Sequence, residues 1–102
     1  MSVMYITKEN FENEVNRSDK TVLLDFYADW CGPCRMVSPV VEQIADEQPE
    51  IKVCKINIDE QPELAARFDV MSIPALFVIK NGEVVNQSLG AKPKAQILEM
   101  LK

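Results

Sequence analysis

Val22 to Cys34 read VLLDFYADWCGPC, an apolar run that carries Asp25 in its middle and ends on two cysteines separated only by Gly32 and Pro33. Taking a carboxylate out of water is costly unless it is paired or neutralised. The two thiols immediately downstream supply a chemical reason for keeping the acid there. Branched and aromatic residues occupy both faces of Thr21 to Ala28, which marks a central strand of a mostly parallel sheet.

Outward from this strand the elements alternate. Val3 to Ile6 reads as a short strand, and Thr7 is placed to cap a helix that buries Phe11 and Val15, four residues apart. A helix is predicted from about Cys34 to Gln48, with Val37, Val40, Val41 and Ile44 at helical spacing and Pro39 kinking it from inside. Ile51 to Ile58 reads as a third strand and Pro62 to Phe68 as a short helix opened by its proline. Ala75 to Lys80 and Glu83 to Ser88 flank Asn81-Gly82, a strong two-residue hairpin signal. After Gly90 the chain closes with a helix from Pro93 to Leu101, facing inward through Ile97, Leu98 and Leu101. The order βαβαβαββα predicts one α/β domain over residues 1–102, a mixed sheet with helices on both faces.

The cysteine spacing narrows the chemistry. Cys31 ends a strand and begins a helix, so its thiol is expected near the positive end of the helix dipole and near the surface. Unpaired N–H groups there favour the thiolate that attacks disulfides. Cys34 follows one turn inside the helix, within disulfide reach. A closed zinc site needs four Cys or His ligands, and the chain has three cysteines and no histidine. The missing histidine also removes a Cys-His hydrolase. A metal shared between two chains is the remaining metal reading, and dithiol redox chemistry is the favoured one.

Composition agrees. Sixteen acidic against eleven basic residues give a net charge of −5, with no basic cluster to attract nucleic acid. The N-terminal MSVMYITKENF has neither the basic flank and apolar core of a signal peptide nor an Arg/Ser-rich amphipathic pattern. No apolar run approaches membrane-spanning length, so a cytosolic chain is expected. Its three scattered glycines, Gly32, Gly82 and Gly90, cannot form a GxGxxG dinucleotide loop. No bound cofactor is expected, and electrons should arrive from another protein by thiol exchange.

Trp30 to Cys34, WCGPC, is where the chain resembles the thioredoxin family. Asp25-Phe26 upstream, Lys55 in the next strand, Ile73-Pro74 before the hairpin, Asn81-Gly82 in its turn and Gly90 after it extend the resemblance over almost the whole chain. It implies a five-stranded sheet flanked by four helices and a general protein-disulfide reductase, re-reduced by a flavoprotein thioredoxin reductase. A monomer acting on disulfide-containing client proteins is expected. The Gly32-Pro33 dipeptide resembles that of the family's reductants rather than its oxidants or isomerases.

The resemblance also assigns roles. Cys31 attacks the client disulfide and Cys34 resolves the mixed disulfide. Asp25, on one sheet face with Leu23 and Tyr27, takes the proton of Cys34 with a raised pKa; the competing reading is an edge-strand acid in solvent. Lys55 is its electrostatic partner or a solvated lysine at a strand end. Pro74 is implied to follow a cis bond and to expose the backbone of Ile73 to a client strand. Trp30, Gly32, Pro33, Ile58, Ser72, Ile73, Gly90 and Ala91 form the docking rim, with a core position as the other reading of Trp30. Cys54, alternating with Ile56 and Ile58, reads as a buried small hydrophobe rather than a regulatory thiol. The chain departs from the family pattern there, and also at Tyr27, Met71-Ser72 and Ala75, where tryptophan, a small or basic pair and threonine are usual.

Overall fold

The computed structural model describes residues 3–102. The leader-free reading of MSVMYITKENF rests in part on residues 1 and 2, which lie outside them. Five strands form one sheet: β1 (Val3–Tyr5), β2 (Thr21–Tyr27), β3 (Ile51–Asn57), β4 (Ala75–Lys80) and β5 (Glu83–Leu89), in the spatial order β1-β3-β2-β4-β5. β2 lies at the centre, as its two-sided apolar pattern requires, but it is parallel to β3 and antiparallel to β4, and β4 and β5 are also antiparallel, so the sheet is mixed rather than mostly parallel. The helices are a short π-helix (Glu12–Asn16), α1 (Gly32–Glu47), α2 (Pro62–Arg67) and α3 (Lys94–Met100).

Strand alternation sorts the core into two layers. Val22, Leu24 and Phe26 of β2 pack with Phe11, Val15, Leu64 and Phe77 under the π-helix and α2. Leu23 packs on the other face with Val53, Leu76 and Val78 against Val37, Val41 and Ile44 of α1 and Ile97 of α3. Asp25 has the parity of Leu23, Lys55 that of Val53, and Leu76 that of Val78. Hence Asp25 and Lys55 both face α1, paired in register across β2 and β3.

Four local expectations are corrected. The central helix begins at Gly32, because Cys31 is its N-cap and Pro33 lies in its first turn, where proline's missing N–H costs nothing. The helix after Thr7 closes with an i→i−5 bond, from the Arg17 N–H to the Glu12 carbonyl at 3.0 Å, and so is π-type. Its entry is tied not by the Thr7 hydroxyl but by Asn10, whose Oδ1 accepts the Thr7 N–H at 2.8 Å. The last helix runs from Lys94, with Pro93 as its N-cap residue. In the hairpin turn Asn81 and Gly82 both have positive φ, 54° and 80°, the type I′ geometry that matches strand twist.

Candidate active site

The strand-to-helix junction builds the site from its backbone. Cys31 sits in extended conformation at the N-cap of α1, and its Sγ accepts the Cys34 N–H at 3.1 Å. An unpaired helix N–H aimed at a sulfur favours that sulfur's anionic form. The two cysteines form a disulfide with their Cα atoms 5.3 Å apart. Each is only 4% exposed, so accessibility does not separate them as expected; the helix terminus does. Ala28 and the two cysteines make a small cluster against which Tyr27, Ile58 and Ile73 pack.

Asp25 is 1% exposed, and its Oδ1 has no hydrogen-bond partner. Burial pushes its pKa from 3.8 to about 7, against the opposing pull of Lys55. The reading of Asp25 as a solvated edge acid therefore fails. So does that of Lys55 as a solvated strand-end lysine, since it sits buried in β3. Its Nζ donates to Ser38 Oγ on α1 and lies 4.5 Å above the centre of the Tyr27 ring. A cavity of about 250 Å³ opens beside these groups, lined by Lys55, Tyr27, Cys34, Arg35, Ser38 and Glu42 among others.

The other side of the disulfide carries the rim. The Ile73–Pro74 bond is cis, and the Ile73 carbonyl oxygen lies 3.9 Å from Cys31 Sγ. The Gly90 N–H donates to the Pro74 carbonyl at 2.8 Å, which binds the loop after β5 beside the proline. Trp30 is 66% exposed, which excludes a core position, and its indole N–H is held by Asp59 Oδ2 at 2.9 Å. Asp59 is oriented in turn by Asn57, whose Oδ1 accepts the Asp59 and Glu60 N–H groups. Ile58 and Ile73 are half-buried; Gly32, Pro33, Ser72 and Ala91 are exposed. Cys54 is fully buried in the opposite core layer with its pKa pushed up to about 12 by burial, a thiol and not a thiolate.

Sequence reading missed Ser38, Asp59 and the exposed Met36; Met71, singled out there as a departure from the family pattern, is 89% exposed. Ser38 had a signal: Cys34, Ser38 and Glu42 recur every four residues, one stripe of α1. Asp59 had none, because its bond to Trp30 joins two separate loops.

The thioredoxin family model matches residues 2–102. The chain belongs to the thioredoxin family. It is 51% identical over 98 residues to a thioredoxin of Porphyra purpurea, covering 95% of this chain and 92% of that one. It is 50% identical over 93 residues to a thioredoxin of Streptomyces clavuligerus, covering 91% and 87%. With a thioredoxin of Pyropia yezoensis it shares 49% identity over 102 residues, covering 99% and 95%. Family membership and the Cys31–Cys34 disulfide make the chain a thiol–disulfide oxidoreductase that reduces protein disulfides. Among the described residues no helix is long and apolar enough to cross a membrane.

Proposed function

We propose that Cys31 is the attacking thiolate, Cys34 the resolving thiol and Asp25 the proton acceptor of this reductase, which works as a single-domain monomer in the cytosol. The reduced Cys31 thiolate attacks one sulfur of a client disulfide. The client S–S bond breaks, a mixed disulfide forms, and the first client sulfur leaves as a thiolate. Cys34 then gives its proton to the Asp25 carboxylate, through an intervening water, and attacks Cys31 Sγ. The second client thiolate leaves, the Cys31–Cys34 disulfide closes, and two electrons have passed to the client. A separate thioredoxin reductase returns them by the reverse exchange, carrying electron transport into the chain without a cofactor of its own.

The observation that carries this reading is Cys31 at the N-cap of α1 with the Cys34 N–H on its sulfur. Clients dock over the flat rim of Trp30, Ile58, Ile73, Pro74 and Gly90, with Ser72 and Ala91 at its margin. An extended segment would pair with the Ile73 backbone left open beside Pro74. Lys55 supports the ionised state of Asp25.

Cysteine variants test the assignment. Reduced wild type should alkylate first at Cys31, as read by peptide mapping. Cys34→Ser should accumulate mixed disulfides with a disulfide-bonded protein substrate, and Cys31→Ser should accumulate none. First modification at Cys34 or Cys54 would overturn the roles. A double cysteine-to-serine variant that kept its cellular activity would instead mark the fold as a binding clamp.

A further inference from the structure

Lys55 and Asp25 stand opposite each other on neighbouring strands, close enough for a lysine to reach a carboxylate, yet Asp25 Oδ1 is left without a hydrogen-bond partner. The ammonium is turned elsewhere. Its Nζ donates to Ser38 Oγ, the Ser38 hydroxyl donates to Glu42 Oε2 at 3.4 Å, and the Tyr27 ring lies beneath the cation. The serine is both acceptor and donor, so its hydroxyl links the lysine cation to the Glu42 carboxylate one turn along α1. We propose that Ser38 is a positioning residue that holds the Lys55 ammonium toward Glu42 and away from Asp25, leaving the Asp25 carboxyl unpaired in the core.

The other neighbours of Asp25 bring no charge to it. β4 presents the uncharged Leu76 opposite it, and Cys34 on α1 does not titrate while disulfide-bonded. Lys55 is the charged group that acts on it. Around Lys55 the facing groups are Tyr5 from β1, Tyr27 from β2, Asp29 after β2, and Arg35, Ser38 and Glu42 from α1. Of these, Ser38 is the one that both accepts from the ammonium and passes a hydrogen bond to an acid. Remove its hydroxyl, and the ammonium loses its link to Glu42 and is free to turn toward Asp25, its register partner on β2. A cation brought next to a carboxylate lowers its pKa by roughly 1–3 units. Ser38 thus keeps Asp25 a good proton acceptor near neutral pH, an importance that rests on the proton-transfer role proposed above.

The test reads the Asp25 side-chain carboxyl by carbon-13 NMR in the oxidised full-length chain, where neither client nor thiol chemistry enters. In Ser38→Ala the titration midpoint should fall by roughly one pH unit or more, while Ser38→Thr, which keeps the hydroxyl, should titrate as wild type. Glu42→Gln, which removes the far acceptor charge, should also lower the midpoint and serves alone if Ser38→Ala does not fold. A midpoint unchanged or raised in Ser38→Ala, or lowered equally by alanine and threonine, would overturn the proposal. So would an unchanged midpoint in Glu42→Gln. If the midpoint falls as expected but the pH profile of client reduction stays put, the positioning stands and the proton-acceptor role of Asp25 fails.

Discussion

Asp25→Asn swaps the buried carboxyl for an amide of the same shape that does not titrate, and the consequence is a change in how stability depends on pH. Burial raises the folded pKa from 3.8 to about 7. Between those values the folded chain holds a proton that the unfolded chain has released, so stability falls as pH rises through the folded pKa. The group's full contribution is present below pH 3.8 and gone above pH 8. At about 1.4 kcal/mol per pH unit the whole span is worth about 4 kcal/mol. The part lost between pH 5 and pH 8 is about 2.5 kcal/mol. The chain has no histidine, so few other groups titrate in that window. Those that do are shared by both proteins and cancel in the difference.

Urea denaturation of oxidised wild type and Asp25→Asn at half-unit steps from pH 5 to pH 8 measures it. The asparagine variant should gain on wild type by about 2.5 kcal/mol across the series, a midpoint change of roughly 1–2 M urea. The buried amide carries its own cost, but that cost is independent of pH and displaces the curve without tilting it. A difference between the two proteins that stays constant from pH 5 to pH 8 would mean that Asp25 is ionised throughout, and the case for its raised proton affinity would collapse.

Trp30→Ala should lower kcat/KM for a protein disulfide roughly tenfold while leaving reduction of a small aliphatic disulfide unchanged, because an exposed aromatic anchors partners rather than chemistry; equal losses on both substrates would assign Trp30 to the reaction itself. Gly82→Ala should destabilise by about 1–3 kcal/mol in urea titration. At φ +80° its Cβ would stand 3.1 Å from the Asn16 carbonyl oxygen, so both backbone strain and a clash oppose it, and a neutral result would mean that the hairpin turn relaxes to another form.

The layering of the fold was legible because alternation along β2 and helical spacing along α1 are properties of the chain alone. The face of Asp25 was legible for the same reason, since an acid with Leu23's parity falls under the helix once its strand is central rather than at an edge. The position of Lys55 could be read, but the direction of its ammonium could not. That depends on the rotation of α1 about its axis, which decides whether Ser38 or an apolar neighbour overhangs β3. The rim was legible in part. Ile73, Pro74 and Gly90 are short-range signals joined by the bond from the Gly90 N–H to the Pro74 carbonyl. The anchoring of Trp30 by Asp59 spans 29 residues and exists only once both loops are placed by the sheet. Helix ends moved by one or two residues because caps are set by side-chain geometry, as at Cys31 and Asn10, rather than by hydrophobic period.

The sheet order separates the two tasks of the site. Because β2 lies between a parallel and an antiparallel neighbour, Asp25 has a lysine on one side and Leu76 on the other. Its charged strand neighbour therefore lies on the β3 side, where Lys55 pulls its pKa down against the effect of burial. The docking surface proposed for clients is a different one, formed by Trp30, the Ile73-Pro74 backbone and the Gly90 loop, none of which lines the cavity beside Lys55. Only the disulfide belongs to both: Cys31 lies against Ile73, and Cys34 opens onto the cavity. Substitutions in the cavity should accordingly change the pH response of the resolving step without changing which clients bind. Substitutions in the rim should change client preference at constant pH profile.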